Sequence, residues 1–184
     1  MLAIVQLSKE TIIDAAVSIL REYGLSDMTM RRVAKQLNVA PGALYWHFKN
    51  KQELIDATSR FILAPLLELD GDSPGPEEVC ARMRTLMMRI NDGAEVVSAG
   101  LSNQIFRKDL EHLISHSFST PHDIGAFTLL HFVIGAVLTE QTQLQLQNIT
   151  GNQEHDGEES NFEERFTTGV EIIIAGLEGQ RHIR

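Results

Sequence analysis

Three helix starts crowd into residues 29–50, and that spacing leaves room for little except short helices. Thr29 offers a hydroxyl cap, Pro41 suits a first helical position where a missing N–H is harmless, and Asn50 offers an amide cap. Val33, Ala34 and Leu37 form the buried side of the first short helix, and Asn38 follows as a helix-ending residue. The next helix is Gly42-Ala-Leu-Tyr-Trp-His47, and Leu37-Asn38-Val39-Ala40 joins the two. This is helix-turn-helix spacing, in which the second helix enters a major groove N-terminus first. Arg31 and Arg32 open the supporting helix, Tyr45 and His47 end the second with phosphate-reaching donors, and Lys49 and Lys51 flank it. Three-helix cores also occur in proteins that never meet DNA, so the pattern alone leaves a purely structural reading open.

The rest of the chain is punctuated in the same way. Ser8 caps a helix running to about Glu22, stopped by Gly24, with Ile12, Ala15, Ala16, Ile19 and Leu20 inward. Asn50 caps another, with Leu54, Ile55, Thr58, Phe61 and Ile62 on one side, which Pro65 must end or kink. After the breaker cluster at 70–76 a helix runs to about Ile90, and Asn91-Asp-Gly93 is a turn. Helices are expected over 94–100 and 104–117. Thr120-Pro121 reads as a cap and first position, opening a long helix to about Gln147. The polar, acidic stretch 148–160 reads as a mobile loop, and a last helix spans about 161–180. No segment has strand period, so the chain is expected to be all α, with about nine helices.

Charge divides the chain in two. The net formal charge is −9, yet residues 1–54 carry seven Lys/Arg against five Asp/Glu, and residues 55–184 carry nine against twenty. A basic head on an acidic body suits a head that touches a polyanion. A hydrophobic content of 43% with 22% charged residues excludes wholesale disorder. Cys80 is the one cysteine, so an intrachain disulfide and a cysteine zinc cluster are both excluded. No apolar run near 20 residues is evident, and Met1–Leu7 is too short for a signal-peptide core. A cytoplasmic protein without a membrane partner is the expectation.

The stretch from Met28 to Leu54 closely resembles the DNA-binding domain of the tetracycline-repressor (TetR) family, most diagnostically in Leu44-Tyr-Trp-His-Phe-Lys-Asn-Lys51. The likeness resumes more weakly at His131-Phe-Val-Ile-Gly-Ala-Val-Leu-Thr-Glu-Gln141 and from Phe166 to Gln180, where it points to the tetracycline-responsive members. It implies a helix-turn-helix domain over 1–51 and a helical ligand-binding and dimerisation domain over 52–184. It also implies a homodimeric repressor that binds an inverted-repeat operator in duplex DNA and leaves it when a small-molecule inducer binds. By the family pattern Thr29, Arg31, Arg32, Pro41, Gly42, Ala43, Tyr45, Trp46, His47 and Lys51 lie on the DNA face. Leu44 reads as packing of the head, and Trp46 fits either role. Pro41, Gly42 and Ala43 offer no side-chain hydrogen bond, so base reading rests on close backbone approach and thymine methyls.

The resemblance also assigns the last two long helices to a four-helix bundle with a twin, Gly135, Gly169, Ile173, Gly176 and Leu177 being the interface candidates. The alternative is that these helices only close the monomer's core. Met83, Met87, Phe106, Phe127 and His131, with Met88, are candidates for lining an apolar effector cavity, because methionine adapts to varied ligands. Plain core packing is the competing reading for each methionine. Tetracycline-responsive members hold the drug's magnesium with a histidine after the Asp-Gly-Ala turn and a glutamate after Gly-Ala-Val-Leu. Here Val97 and Thr139 occupy those places, with Glu140 adjacent, and Leu67 replaces a further drug-binding histidine. A different, mostly apolar inducer is therefore expected, with no cofactor and no metal.

His112 and His116 stand at i and i+4, a spacing that can chelate a metal, but no third ligand is placed beside them. No phosphate loop, nucleophile elbow or supported Cys–His arrangement is found, so no enzymatic activity is expected. The competing function is a helical adaptor that binds a protein partner through its acidic body without sequence-specific DNA binding. It leaves the DNA-face residues without a task.

Overall fold

The structure, a computed structural model, describes residues 7–68, 74–150 and 156–181, and of 156–160 and 180–181 the backbone alone. Among the described residues there are nine helices and no strand. They are α1 (Lys9–Tyr23), α2 (Met30–Gln36), α3 (Pro41–Leu44), α4 (Lys51–Leu67), α5 (Pro76–Met88), α6 (Gly93–Gly100), α7 (Gln104–Ser117), α8 (Asp123–Thr150) and α9 (Asp156–Arg181).

The early helices start where local chemistry places them. Ser8 Oγ accepts from Thr11 N at 3.2 Å while Thr11 Oγ1 accepts from Ser8 N at 3.0 Å, a reciprocal box that satisfies two orphan donors. Thr29 Oγ1 accepts from Arg32 N and Asn50 Oδ1 from Glu53 N. Asn38 takes φ +55°, the left-handed turn that separates α2 from α3. Ile12, Ala16, Leu20, Met28, Val33, Ala34, Leu44 and Phe48 close a small core around α1–α3.

The α4 helix belongs to both parts of the molecule, packing on α1 and, more extensively, on α6. Ser59 Oγ donates to Ile55 and Val96 carbonyls, each at 2.8 Å. A Cβ at Gly100 would stand 2.4 Å from Ser59 Oγ, so the α6 backbone is seated directly against α4. Pro65 lies inside α4 but only two residues from its end.

The body is organised by α8, which packs against α5, α6, α7 and α9. Arg84 of α5 makes a forked pair with Glu140 of α8, Nη2 to Oε1 at 2.7 Å and Nε to Oε2 at 3.1 Å. One residue on, Gln141 donates to the carbonyls of Met87 and Ile90 and accepts from Ala94 N at 3.0 Å. The buried amide thus stitches α8 to the α5–α6 turn.

Several expectations are corrected. The long helix does not start at Thr120-Pro121; it starts at Asp123, where His122 Nδ1 accepts from Gly125 N at 3.0 Å and does the capping. The expected loop over 148–160 shrinks, since α8 continues to Thr150 and α9 begins at Asp156; residues 151–155 lie outside the described residues. The regular part of α3 stops at Leu44, and 45–47 continue as turns. By length and composition α8 is apolar enough to cross a membrane, contrary to the sequence expectation; here its inner face is core. Residues 1–6 and the middle of the breaker cluster, 69–73, fall outside the described residues.

Candidate nucleic-acid interface and effector body

The short α3 segment sorts its side chains sharply. Leu44 is fully buried and Phe48 nearly so, and these two pin the segment to the head. Pro41, Gly42 and Tyr45 are exposed, and Trp46 is 91% exposed. An indole left in water by a well-packed head has no packing role there, so the structural reading of Trp46 falls and that of Leu44 holds. A Cβ added at Gly42 would meet nothing within 4 Å. Ala43 and His47 are half-buried at the edge of this surface.

The basic residues divide into free and engaged ones. Arg31, Lys35, Lys49 and Lys51 are exposed, Lys51 being the first residue of α4. Arg32 is occupied: its guanidinium lies 3.8 Å from the Tyr23 ring centroid and pairs with Asp27. Thr29, although exposed, spends its hydroxyl on capping α2. The Lys9 ammonium sits 5.7 Å from the centre of the Phe48 ring. Beside it, the Ser8 hydroxyl, followed by a backbone N–H, holds the Glu10 carboxyl below its usual range. The Tyr23 phenol is raised, first by its hydrogen bond with Glu22 and then by burial.

The head is tied to the body at a place the sequence marked only as a turn. Asp92, at φ +57°, accepts the Leu25 N–H at 2.7 Å on Oδ2 and the Gln145 amide on Oδ1. Gly24 (φ +79°) passes so close that a Cβ would stand 2.5 Å from Asp92 Oδ2. Next to it Asn91 Nδ2 donates to the Arg21 carbonyl at 2.8 Å. The end of α1, the α5–α6 turn and α8 therefore share one hydrogen-bonded junction.

The five effector candidates are not gathered around one cavity. Met83, Met87 and Phe106 are fully buried in the core, whereas Phe127 is 55% exposed and His131 is exposed beside it. The Phe127 and His131 rings lie 4.2 Å apart, and His131 Nδ1 donates to the Phe127 carbonyl at 2.8 Å. They stand on the outer face of α8, and since that helix is apolar nearly all round, its pattern does not say which face is inner. Met88 is half-buried. Val97 is buried, Leu67 half-buried, and Thr139 donates to the Gly135 carbonyl of its own helix at 2.9 Å. Glu140 is committed to Arg84.

The interface candidates also divide. Gly135 and Gly176 are exposed, and a Cβ at either would meet nothing within 4 Å. With Phe127, Leu138 and Ile172 they leave a run of apolar and small residues uncovered on α8 and α9. Gly169 instead serves the chain's own packing: a Cβ there would stand 2.4 Å from Phe132 Cζ. Ile173 and Leu177 are half-buried against the same core.

His112 and His116 stack at 3.8 Å, with His116 Nδ1 donating to the His112 carbonyl. Among the described residues no group of three or more His, Cys, Asp or Glu is placed to hold a metal. Burial, followed by the charge of Glu77, pushes the Cys80 thiol up to about 12, which leaves it an inert core residue.

The family model for bacterial regulatory proteins of the tetR family matches residues 12–58. Along nearly the whole chain, the tetracycline repressor class A from transposon 1721 of Escherichia coli is 30% identical, covering 96% of this chain and 93% of its own. A crystal structure of BioQ with its natural double-stranded DNA operator is 32% identical, covers 94% of this chain and 98% of its own, and superposes with a TM-score of 0.73. A TetR variant from Acinetobacter baumannii AYE in complex with minocycline is 27% identical, covers 96% and 99%, and superposes at 0.72.

Proposed function

Because this chain belongs to the TetR family of bacterial regulatory proteins, we propose that it binds an inverted-repeat operator as a homodimer and is released by a small, mostly apolar inducer. The head of 1–51 reads DNA, and the body of 52–184 dimerises and senses. The observation that carries the DNA part is the sorting on α3. Leu44 and Phe48 are held inside while Pro41, Gly42, Tyr45 and Trp46 face outward, with no side-chain hydrogen-bond or ring partner among the described residues. Ala43 and His47 border this face, and Arg31 and Lys51 stand free to meet phosphates, whereas Arg32 and Thr29 contribute chiefly by fixing the head. With no hydrogen-bonding side chain at 41–43, phosphate contacts supply most of the affinity, which falls steeply with salt.

A second copy covers the outer face of α8 and α9, where Gly135 and Gly176 let a helix approach closely. A twin of this kind places two α3 segments in successive major grooves, roughly 34–36 Å apart. Phe127 and His131 then face the partner and meet an effector only where the twin closes over them. Val97, Thr139 and the Arg84-bound Glu140 supply no free imidazole or carboxylate for a drug-bound magnesium ion, so magnesium–tetracycline is not the inducer. Release is a two-state shift toward a conformer whose heads are mis-spaced for the operator, and operator DNA weakens inducer binding by the same factor.

The test is selection of bound fragments from genomic DNA, followed by titration of the recovered operator with wild-type and Gly42→Glu protein. Gly42→Glu places a carboxylate against the groove wall and abolishes binding while fold and dimer persist. Normal binding by that variant would discard the groove assignment. Release by micromolar tetracycline that requires magnesium would overturn the effector reading.

A further inference from the structure

Between the head and the body, Phe61 of α4 leaves its ring 45% exposed. The ring separates two hollows. One, of about 490 Å³, lies against Asp14, Val17, Ser18 and Arg21 of α1. The other, of about 270 Å³, is floored by Ile62, Pro65, Leu86 and Ile90 and carries Arg21 and Arg89 on its wall. The floor is apolar, with Ile62 and Ile90 almost fully buried. Both arginines are exposed, and neither makes an ion pair among the described residues, whereas Arg32, Arg60, Arg82, Arg84 and Arg107 all do. Among the described residues, Glu68 is the one carboxylate on the wall of the smaller hollow.

Pro65 adds a further polar element. It has no N–H, so it cannot donate to the carbonyl four residues back, and that carbonyl belongs to Phe61. The smaller hollow thus combines an aromatic face, an aliphatic floor, two guanidiniums that make no ion pair among the described residues, and, at Phe61, a backbone carbonyl lacking its helical donor.

We propose that this crevice between α1, α4 and α5 is a binding site for a hydroxyl-bearing aromatic carboxylate. The carboxylate takes the forked donors of Arg21 and Arg89, the ring lies on Phe61 over the aliphatic floor, and the hydroxyl donates to the Phe61 carbonyl. Such a ligand would touch the head through α1 and the body through α4 and α5. The site does not involve the core methionines or the outer face of α8, and it stands whether or not those sense an inducer.

The probe is 6-hydroxy-2-naphthoate, titrated calorimetrically into the full chain, with 6-hydroxy-2-naphthamide as the neutral control. Expected are saturable binding at one probe per chain and at least about tenfold weaker binding of the amide. An Arg21→Gln/Arg89→Gln protein, altered only at exposed side chains, should lose at least about tenfold in naphthoate affinity at unchanged thermal stability. Equal binding of acid and amide would overturn the proposal. So would undiminished affinity in the double variant, which places the probe in the core, or no saturable binding at millimolar probe. A change in oligomeric state of the double variant at unchanged probe affinity would show the crevice to be a contact between copies, and would likewise overturn it.

Discussion

The Asp92 carboxylate holds the backbone N–H of Leu25 at 2.7 Å across 67 positions of sequence. Its other oxygen takes the Gln145 amide, so one side chain in a left-handed conformation joins the reading head to the longest body helix. Asp92→Ala removes a charge-assisted hydrogen bond and strains the turn, at a cost of about 2 kcal/mol or more in urea unfolding. Operator affinity falls with it, because the head loses its fixed bearing. Asp92→Asn tolerates the turn and keeps one acceptor, so it loses less on both measures. Equal losses in the two variants would mean that the hydrogen bond to Leu25 is not what joins the parts.

Leu44 and Trp46 are two residues apart and should behave oppositely. Leu44→Ala empties a fully buried position and costs about 2–5 kcal/mol. Trp46→Ala changes a residue 91% exposed and shifts stability by no more than about 0.5 kcal/mol, yet abolishes operator binding. Trp46 is also the single tryptophan, so its fluorescence reports the head alone, water-like when free and altered on operator. Emission unchanged by saturating operator would place Trp46 off the DNA.

Glycine substitutions separate packing within the chain from packing between copies. Gly169→Ala collides with Phe132 and lowers stability at every protein concentration. A Cβ at Gly176 meets nothing within 4 Å, so Gly176→Glu is expected to leave monomer stability near its starting value and to shift the sedimenting species from dimer to monomer. A wild-type protein that sediments as a monomer at micromolar concentration refutes the twin.

The Arg84–Glu140 pair is largely buried, at 18% and 11% side-chain exposure. Arg84→Met strands the carboxylate and costs about 3–5 kcal/mol, whereas Arg84→Met/Glu140→Leu recovers most of it. Thermal melts of the two proteins suffice to compare them, and a double variant as unstable as the single would remove the charge-burial explanation.

Cys80 gives a pH dependence of definite sign. Its thiol is raised to about 12 by burial, from 9.0 in the unfolded reference, so folding favours the neutral form. That contribution is complete below about pH 9 and is lost as pH climbs toward 12. At pH 8 a disulfide reagent should therefore label the unfolded chain quickly and the native chain only at the rate of opening. Prompt labelling of native protein would contradict the burial.

What the sequence disclosed was whatever is decided within a turn of helix. Ser8, Thr29 and Asn50 cap because an oxygen three residues before a free N–H reaches it in almost any context. Thr120-Pro121 misled for the same reason: the signal is local and good, but the structure satisfies α8 with the next residue, His122. The role of Asp92 had no local signature, since its partners lie on α1 and α8. The orientation of the effector candidates on α8 had no local signature either. A helix apolar on most sides offers no stripe that distinguishes Leu130 and Val133, which are buried, from Phe127 and His131, which are not.

Gly42 stands at the front of the reading segment with open space where a side chain would begin. Neither the head core nor the junction at Asp92 depends on what occupies that position. Small neutral side chains with hydrogen-bonding groups, unlike the carboxylate of Gly42→Glu, would begin there at little cost to folding and, on the groove assignment proposed above, would change which bases the segment meets. On that assignment, the choice of target sequence in this head would be mechanically uncoupled from the durability of the fold.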